Sequence, residues 1–90
     1  MKDYIIKQDF KLRQIGDNYI VVALGKSSKS FNGMINLNET SAFMWKKLDE
    51  LGTKEGLLEA LMAEYQVEEA QASADIDRFI KVLKDNGIFE

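Results

Sequence analysis

Residues 33–48 read GMINLNETSAFMWKKL, and their pattern changes once, at Asn38. Up to Leu37 apolar and polar residues alternate as on a strand; beyond Glu39 the apolar residues return at helical spacing. Asn38 is a favoured N-cap, because its side-chain oxygen can accept from an otherwise unpaired amide in the first turn. Glu39 complements the helix dipole there. Leu37 and Ala42 fall at the N′ and N4 positions of a hydrophobic staple, which sets the angle at which strand meets helix. The spacing therefore predicts a strand held rigidly by the start of the helix that follows it.

Upstream, the chain lacks helical periodicity. Phe10 and Leu12 alternate with Lys11 and Arg13, residues 16–18 (Gly-Asp-Asn) mark a turn, and residues 19–24 form a β-branched run, which together predict a β-hairpin. A polar loop, residues 25–30, leads to a third strand over residues 31–37. Phe31, Gly33, Ile35 and Leu37 share one face of it, and Asn32, Met34 and Asn36 share the other.

Downstream, Met44, Trp45, Leu48 and Leu51 predict a helix from Glu39 to about Leu51, with Gly52 placed to end it. Thr53 caps a second helix with an apolar stripe of Leu57, Leu58, Leu61, Met62 and Tyr65. A third helix begins near Glu68 or Glu69 with Ala72, Ile76, Phe79, Ile80 and Leu83 inside; Gly87 then suits a left-handed cap, with Ile88 touching Leu83 in a Schellman motif. The pattern is α+β and winged-helix-like: three short antiparallel N-terminal strands, then three helices, as a single domain over residues 1–90.

Composition narrows the function. The chain has 90 residues and no Cys, His or Pro. A chain this short buries only about 60–65% of its unfolded surface. Without Cys or His it has no disulfide, no thiolate or imidazole zinc site, and no Ser-His or Cys-His nucleophile pair. The missing Cys, and an amino terminus MKDYIIKQDF without an apolar h-region, predict a soluble cytoplasmic protein. No apolar run is long enough to span a membrane. The net charge of −3 is divided unevenly: residues 1–36 hold six basic and three acidic residues, the remainder six and twelve.

Several chemical signals fail on inspection. Gly25-Lys26-Ser27 echoes a phosphate-binding loop, but that signature needs a glycine where Ile20 stands, and a helix directly afterwards. Glu68, Glu69, Asp75 and Asp77 lie at a helix start or on polar faces, where carboxylates are usually just solvated, and a core this small can hardly provide the cleft that would separate their pKa values. No segment has the ligand spacing of a calcium loop. Of Trp45, Phe43, Tyr65 and Phe79, aromatics that could stack on bases, Trp45 sits at core spacing with Met44, Leu48 and Leu51, and Phe43 is open to either reading. The third helix carries five acidic residues against Arg78, Lys81 and Lys84, the wrong sign for the major groove, and Lys26 and Lys29 alone make a weak nucleic-acid contact.

What remains is the third strand. If it pairs on one side only, its other edge exposes main-chain donors and acceptors to which an extended peptide can add. On the third helix, Val82 falls outside the inner stripe beside Asp75 and Phe79, which makes an apolar flank with charge at its border.

These residues carry a family likeness. FNGMINLNETSAFMWKKL (residues 31–48) and ADIDRFIKVLKDNGIF (residues 74–89) resemble the PqqD-like family, named after coenzyme PQQ synthesis protein D, over residues 19–89. The resemblance implies a non-catalytic winged-helix-like domain, without cofactor. Such a domain recognises the leader of a ribosomally made precursor peptide and presents it to a modifying enzyme, often of the radical SAM type. It implies that the leader pairs beside the third strand and lies against the third helix. The peptide-binding residues would then be Phe31, Asn32, Met34, Ile35 and Asn36 on one side and Asp75, Arg78, Phe79 and Val82 on the other. Members serving PQQ synthesis carry Pro-Glu-Gly before the third strand and Asp-Gly after the first helix. This chain has no proline and has Leu51-Gly52, so the resemblance implies a relative dedicated to another modified peptide. Two alternatives stand beside this reading: a winged-helix DNA-binding protein of transcriptional type, and a structural adaptor that forms a homodimer through its free strand edge.

Overall fold

The computed structural model describes residues 2–25 and 35–90. The polar loop at residues 26–30 and the first half of the expected third strand, including Phe31, Asn32 and Met34, lie outside the described residues.

One antiparallel sheet has the order β1 (Phe10–Ile15), β2 (Asn18–Ala23), β3 (Ile35–Leu37). Gly16 and Asp17 connect the hairpin. Gly16 has φ 62° and, among the described residues, no non-glycine has positive φ, the combination a type II′ connection requires. Asn18 therefore opens β2 instead of closing the turn, and Leu24, expected inside the strand, falls beyond it and is exposed. The register places Leu12 opposite Val21 and Val21 opposite Ile35, so one face of all three strands meets the core. Lys11, Arg13 and Asn36 occupy the other face, as the alternation predicts.

Three helices, α1 (Glu39–Leu51), α2 (Lys54–Glu64) and α3 (Glu69–Asp85), follow in the expected order. Asn38 Oδ1 accepts from the Ser41 amide at 2.8 Å, and Thr53 Oγ1 accepts from the Gly56 amide at 3.0 Å. Replacing Asn38 by Ala leaves that first-turn amide unpaired, at an expected cost of about 1 kcal/mol. In a domain of this size such a loss lowers the melting temperature by roughly 4–8 °C, which a thermal melt followed by circular dichroism reads directly. An unchanged melt would show that the strand-to-helix joint does not depend on this cap.

The C-termini follow the same local logic. Gly52, with φ 72°, donates to the Leu48 carbonyl at 2.7 Å. After α3, Ile88 donates to the Leu83 carbonyl and Gly87 to the Lys84 carbonyl, both at 3.0 Å, which is the Schellman pairing. Glu68 precedes α3 without a side-chain cap. Lys54, at the start of α2, reaches Asp77 of α3 at 2.6 Å; this hydrogen bond and the carboxylate's charge raise the lysine pKa.

The core gathers Val21, Met44, Trp45, Leu48, Leu57, Leu61 and the whole expected stripe of α3. Two stripe residues are corrected: Leu51 and Met62 are 39% and 38% exposed. Leu51 sits at the corner where the chain reverses at Gly52, and Met62 stands about 100° round the helix from buried Leu61.

A segment without periodicity completes the core. Ile6 is buried beside Phe10 of β1 in the same core cluster; it bridges to Phe89, and Tyr4 packs on the Phe89 ring with centroids 5.2 Å apart. The amides of Asp3 and Tyr4 both donate to the Gly52 carbonyl, and Lys2 Nζ donates to the Asp49 carbonyl. A Cβ at position 52 would run into the Lys2 side chain, so a glycine serves there for space as well as for its positive φ.

Candidate functional site

Within the described residues β3 pairs only with β2, which leaves its opposite side facing α3. Between them lies a cleft of about 490 Å³. Ile35, Asn36, Leu37, Asn38, Thr40, Ser41 and Met44 contribute one wall and part of the floor, and Asp75, Arg78, Phe79 and Val82 contribute the other. Six of the nine residues implied by the resemblance thus line one cleft; Phe31, Asn32 and Met34 lie outside the described residues.

The cleft follows from two local decisions. The Asn38 cap fixes β3 at the start of α1, so the strand edge and the first turn of that helix form a continuous surface. The buried stripe of α3 fixes that helix's rotation. Asp75, Arg78 and Val82, spaced at i, i+3 and i+7, then share a flank beside the stripe. Phe79 and Met44, almost fully buried, form an apolar floor, while Val82 is 44% exposed at the rim.

Polar groups at the rim are already organised. Asp75 Oδ1 accepts from Gln71 Nε2 at 2.9 Å and pairs with the Arg78 guanidinium. The Arg78 side chain is 70% exposed, and a guanidinium has five N–H donors, so the ion pair still leaves donors for a ligand. The hydroxyls of Thr40 and Ser41 have no imidazole or thiol anywhere in the chain to activate them. Among the described residues no group of three or more acidic side chains is placed to hold a metal ion. Chemically, the arrangement offers a main-chain edge, an apolar floor and a forked cationic donor.

Leu37, Asn38, Thr40, Ser41 and Met44 were not foreseen as lining residues. Their signal was present in the helix start itself, because residues that cap a helix beside a free strand edge necessarily border that edge. Among the described residues no helix is long and apolar enough to cross a membrane.

Comparison with known proteins bears on the fold and the family. No curated protein matches the chain. The solved structure of TbiB1 in complex with the TbiA(beta) leader peptide superposes with a TM-score of 0.76 and 22% identity, covering 100% of this chain and 95% of that one. Lasso peptide synthetase B1 complexed with the leader peptide superposes with a TM-score of 0.79, also at 22% identity, covering 98% of each chain. At this identity the likeness establishes the fold. The family model for coenzyme PQQ synthesis protein D (PqqD) matches residues 18–88, most of the chain, and the chain belongs to that family.

Proposed function

We propose that this protein is a non-catalytic peptide-binding module of the cytoplasm. It takes the leader of a ribosomally made precursor as an extra strand on β3 and presents it to a modifying enzyme, of the radical SAM type. One observation carries this reading: the outer side of β3 and the apolar flank of α3 face each other across a single cleft. An extended peptide there would place its backbone on the strand edge and alternate side chains on Phe79, Met44 and Val82. Support comes also from family membership and from the two similar structures, both complexes with leader peptides.

The magnitudes suit a delivery module. Four or five main-chain hydrogen bonds at about 1 kcal/mol each and two buried side chains at about 2 kcal/mol each yield roughly 8–9 kcal/mol before ordering costs. Ordering the peptide removes about 2–5 kcal/mol, which leaves roughly 3–7 kcal/mol and makes the isolated domain a weak binder, from about ten micromolar to several millimolar. Tight recognition then requires further contacts or the enzyme.

The test is a ¹⁵N NMR titration with leader segments of a short precursor encoded beside the gene. Amides of Ile35, Asn36, Leu37, Asp75, Arg78 and Val82 are expected to shift together, and strand-edge amides to exchange more slowly. Shifts confined to other surfaces, or salt-sensitive binding to duplex DNA with no response to any leader, would replace this reading.

A further inference from the structure

The sheet has a second open edge, on the side away from the leader cleft. Among the described residues β1 pairs only with β2. Beside it, between β1 and α1, lies another cleft whose apolar floor includes Ile6, Phe10 and Trp45 and whose lining carries Lys7, Lys11 and Lys46 against one carboxylate, Asp49. Neither the Lys7 nor the Lys11 side chain joins an ion pair among the described residues, and Lys46 Nζ stands 5.8 Å from the Tyr19 ring centroid. Residues 26–34 contain no acidic side chain that could neutralise them. Three lysines against Asp49 leave the lining of this cleft net positive in a chain whose net charge is −3.

We propose that this cleft docks an acidic, extended segment of a partner protein. Its backbone would lie along β1, its apolar side chains over the floor, and its carboxylates against the three lysines. If the leader reading of β3 is right, this partner is the modifying enzyme; the chemistry of the cleft stands without that reading. Lysines on an edge strand also discourage edge-to-edge aggregation, but that role needs them on the strand itself. Here Lys7 comes from the segment before β1 and Lys46 from α1, so the cations that border the cleft come from three parts of the chain, with Lys11 reaching it from the outer face of the sheet. Nucleic acid fits less well, because Trp45 is 4% exposed and offers no face for a base to stack on.

The experiment uses the intact chain and a fluorescein-labelled peptide of about eight residues alternating Glu and Leu, with a Glu-Ser peptide of equal charge as comparison. The Glu-Leu peptide is expected to bind about fivefold or more tightly than the Glu-Ser peptide, and to weaken severalfold between about 50 and about 300 mM salt. Its NMR shifts should map to β1 and the Trp45 indole. A Lys7→Glu, Lys11→Glu double variant should weaken binding about tenfold or more. Equal binding of both peptides, shifts mapping to β3 and α3, or an unaffected double variant would each overturn the proposal. The wild-type shift map keeps the test decisive should the double variant fail to fold.

Discussion

A Val82→Glu variant is expected to keep the fold and lose the leader, weakening by about tenfold to a hundredfold the precursor segment that binds the unaltered chain. Val82 is 44% exposed, so its replacement touches no core contact, and surface changes of this kind stay within about 0.5 kcal/mol of the parent in stability. In the cleft the same change removes an apolar contact and sets a carboxylate where the peptide would exclude water; each costs more than about 1 kcal/mol, and a tenfold loss needs about 1.4 kcal/mol. Calorimetric titration beside a thermal melt separates the two quantities. Unchanged affinity in a variant that melts like its parent would move the peptide away from α3.

Leu83→Ala is expected to produce the largest loss of stability. Leu83 is fully buried among the core residues, and its carbonyl accepts the Schellman bond from Ile88, itself fully buried. Truncating a buried leucine costs about 3–5 kcal/mol, because the cavity left behind collapses only partly. A domain of this size has about 5–13 kcal/mol in total, so the melting temperature should fall by roughly 12 °C or more. The contrasting variant is Leu51→Ala. The sequence assigns Leu51 to the same kind of stripe, but it is 39% exposed, and its truncation should cost less than about 1 kcal/mol. Urea denaturation of the two variants distinguishes them; equal costs would mean that the corner at Gly52 is packed more tightly than it stands here.

The comparison of these two leucines shows where sequence reading loses its grip. Both lie at helical spacing within an apolar stripe, and the glycine after Leu51 marks a helix end without saying which way that leucine faces. Leu83 faces the core because α2 packs beside α3, whereas Leu51 ends its helix at a reversal of the chain. Met62 makes the same point in α2, where the stripe was read one residue too wide. The candidate site was legible only in part. The alternation around Ile35 and Asn36 and the displaced position of Val82 marked its two walls, but the roles of Leu37, Asn38, Thr40, Ser41 and Met44 in lining it were missed. The opening segment was missed as well. Ile6 shows no period, and its segment is held by the Ile6–Phe89 bridge and by the bonds of Asp3 and Tyr4 to Gly52, partners far from it in the chain.

From the sequence alone came the kinds and order of the elements, the caps at Asn38 and Thr53, the left-handed glycines at positions 52 and 87, and the inner face of α3. All of these rest on interactions within about one helical turn or one strand pair, whose energies neighbouring residues determine. The tertiary structure decided which strand edges stay open, which stripe residues reach the core, and that Ile35 and Val82 border one cleft while Lys7, Lys11 and Lys46 border another. These depend on contacts between segments far apart in the chain, which burial of the whole apolar surface selects together and which no local pattern encodes.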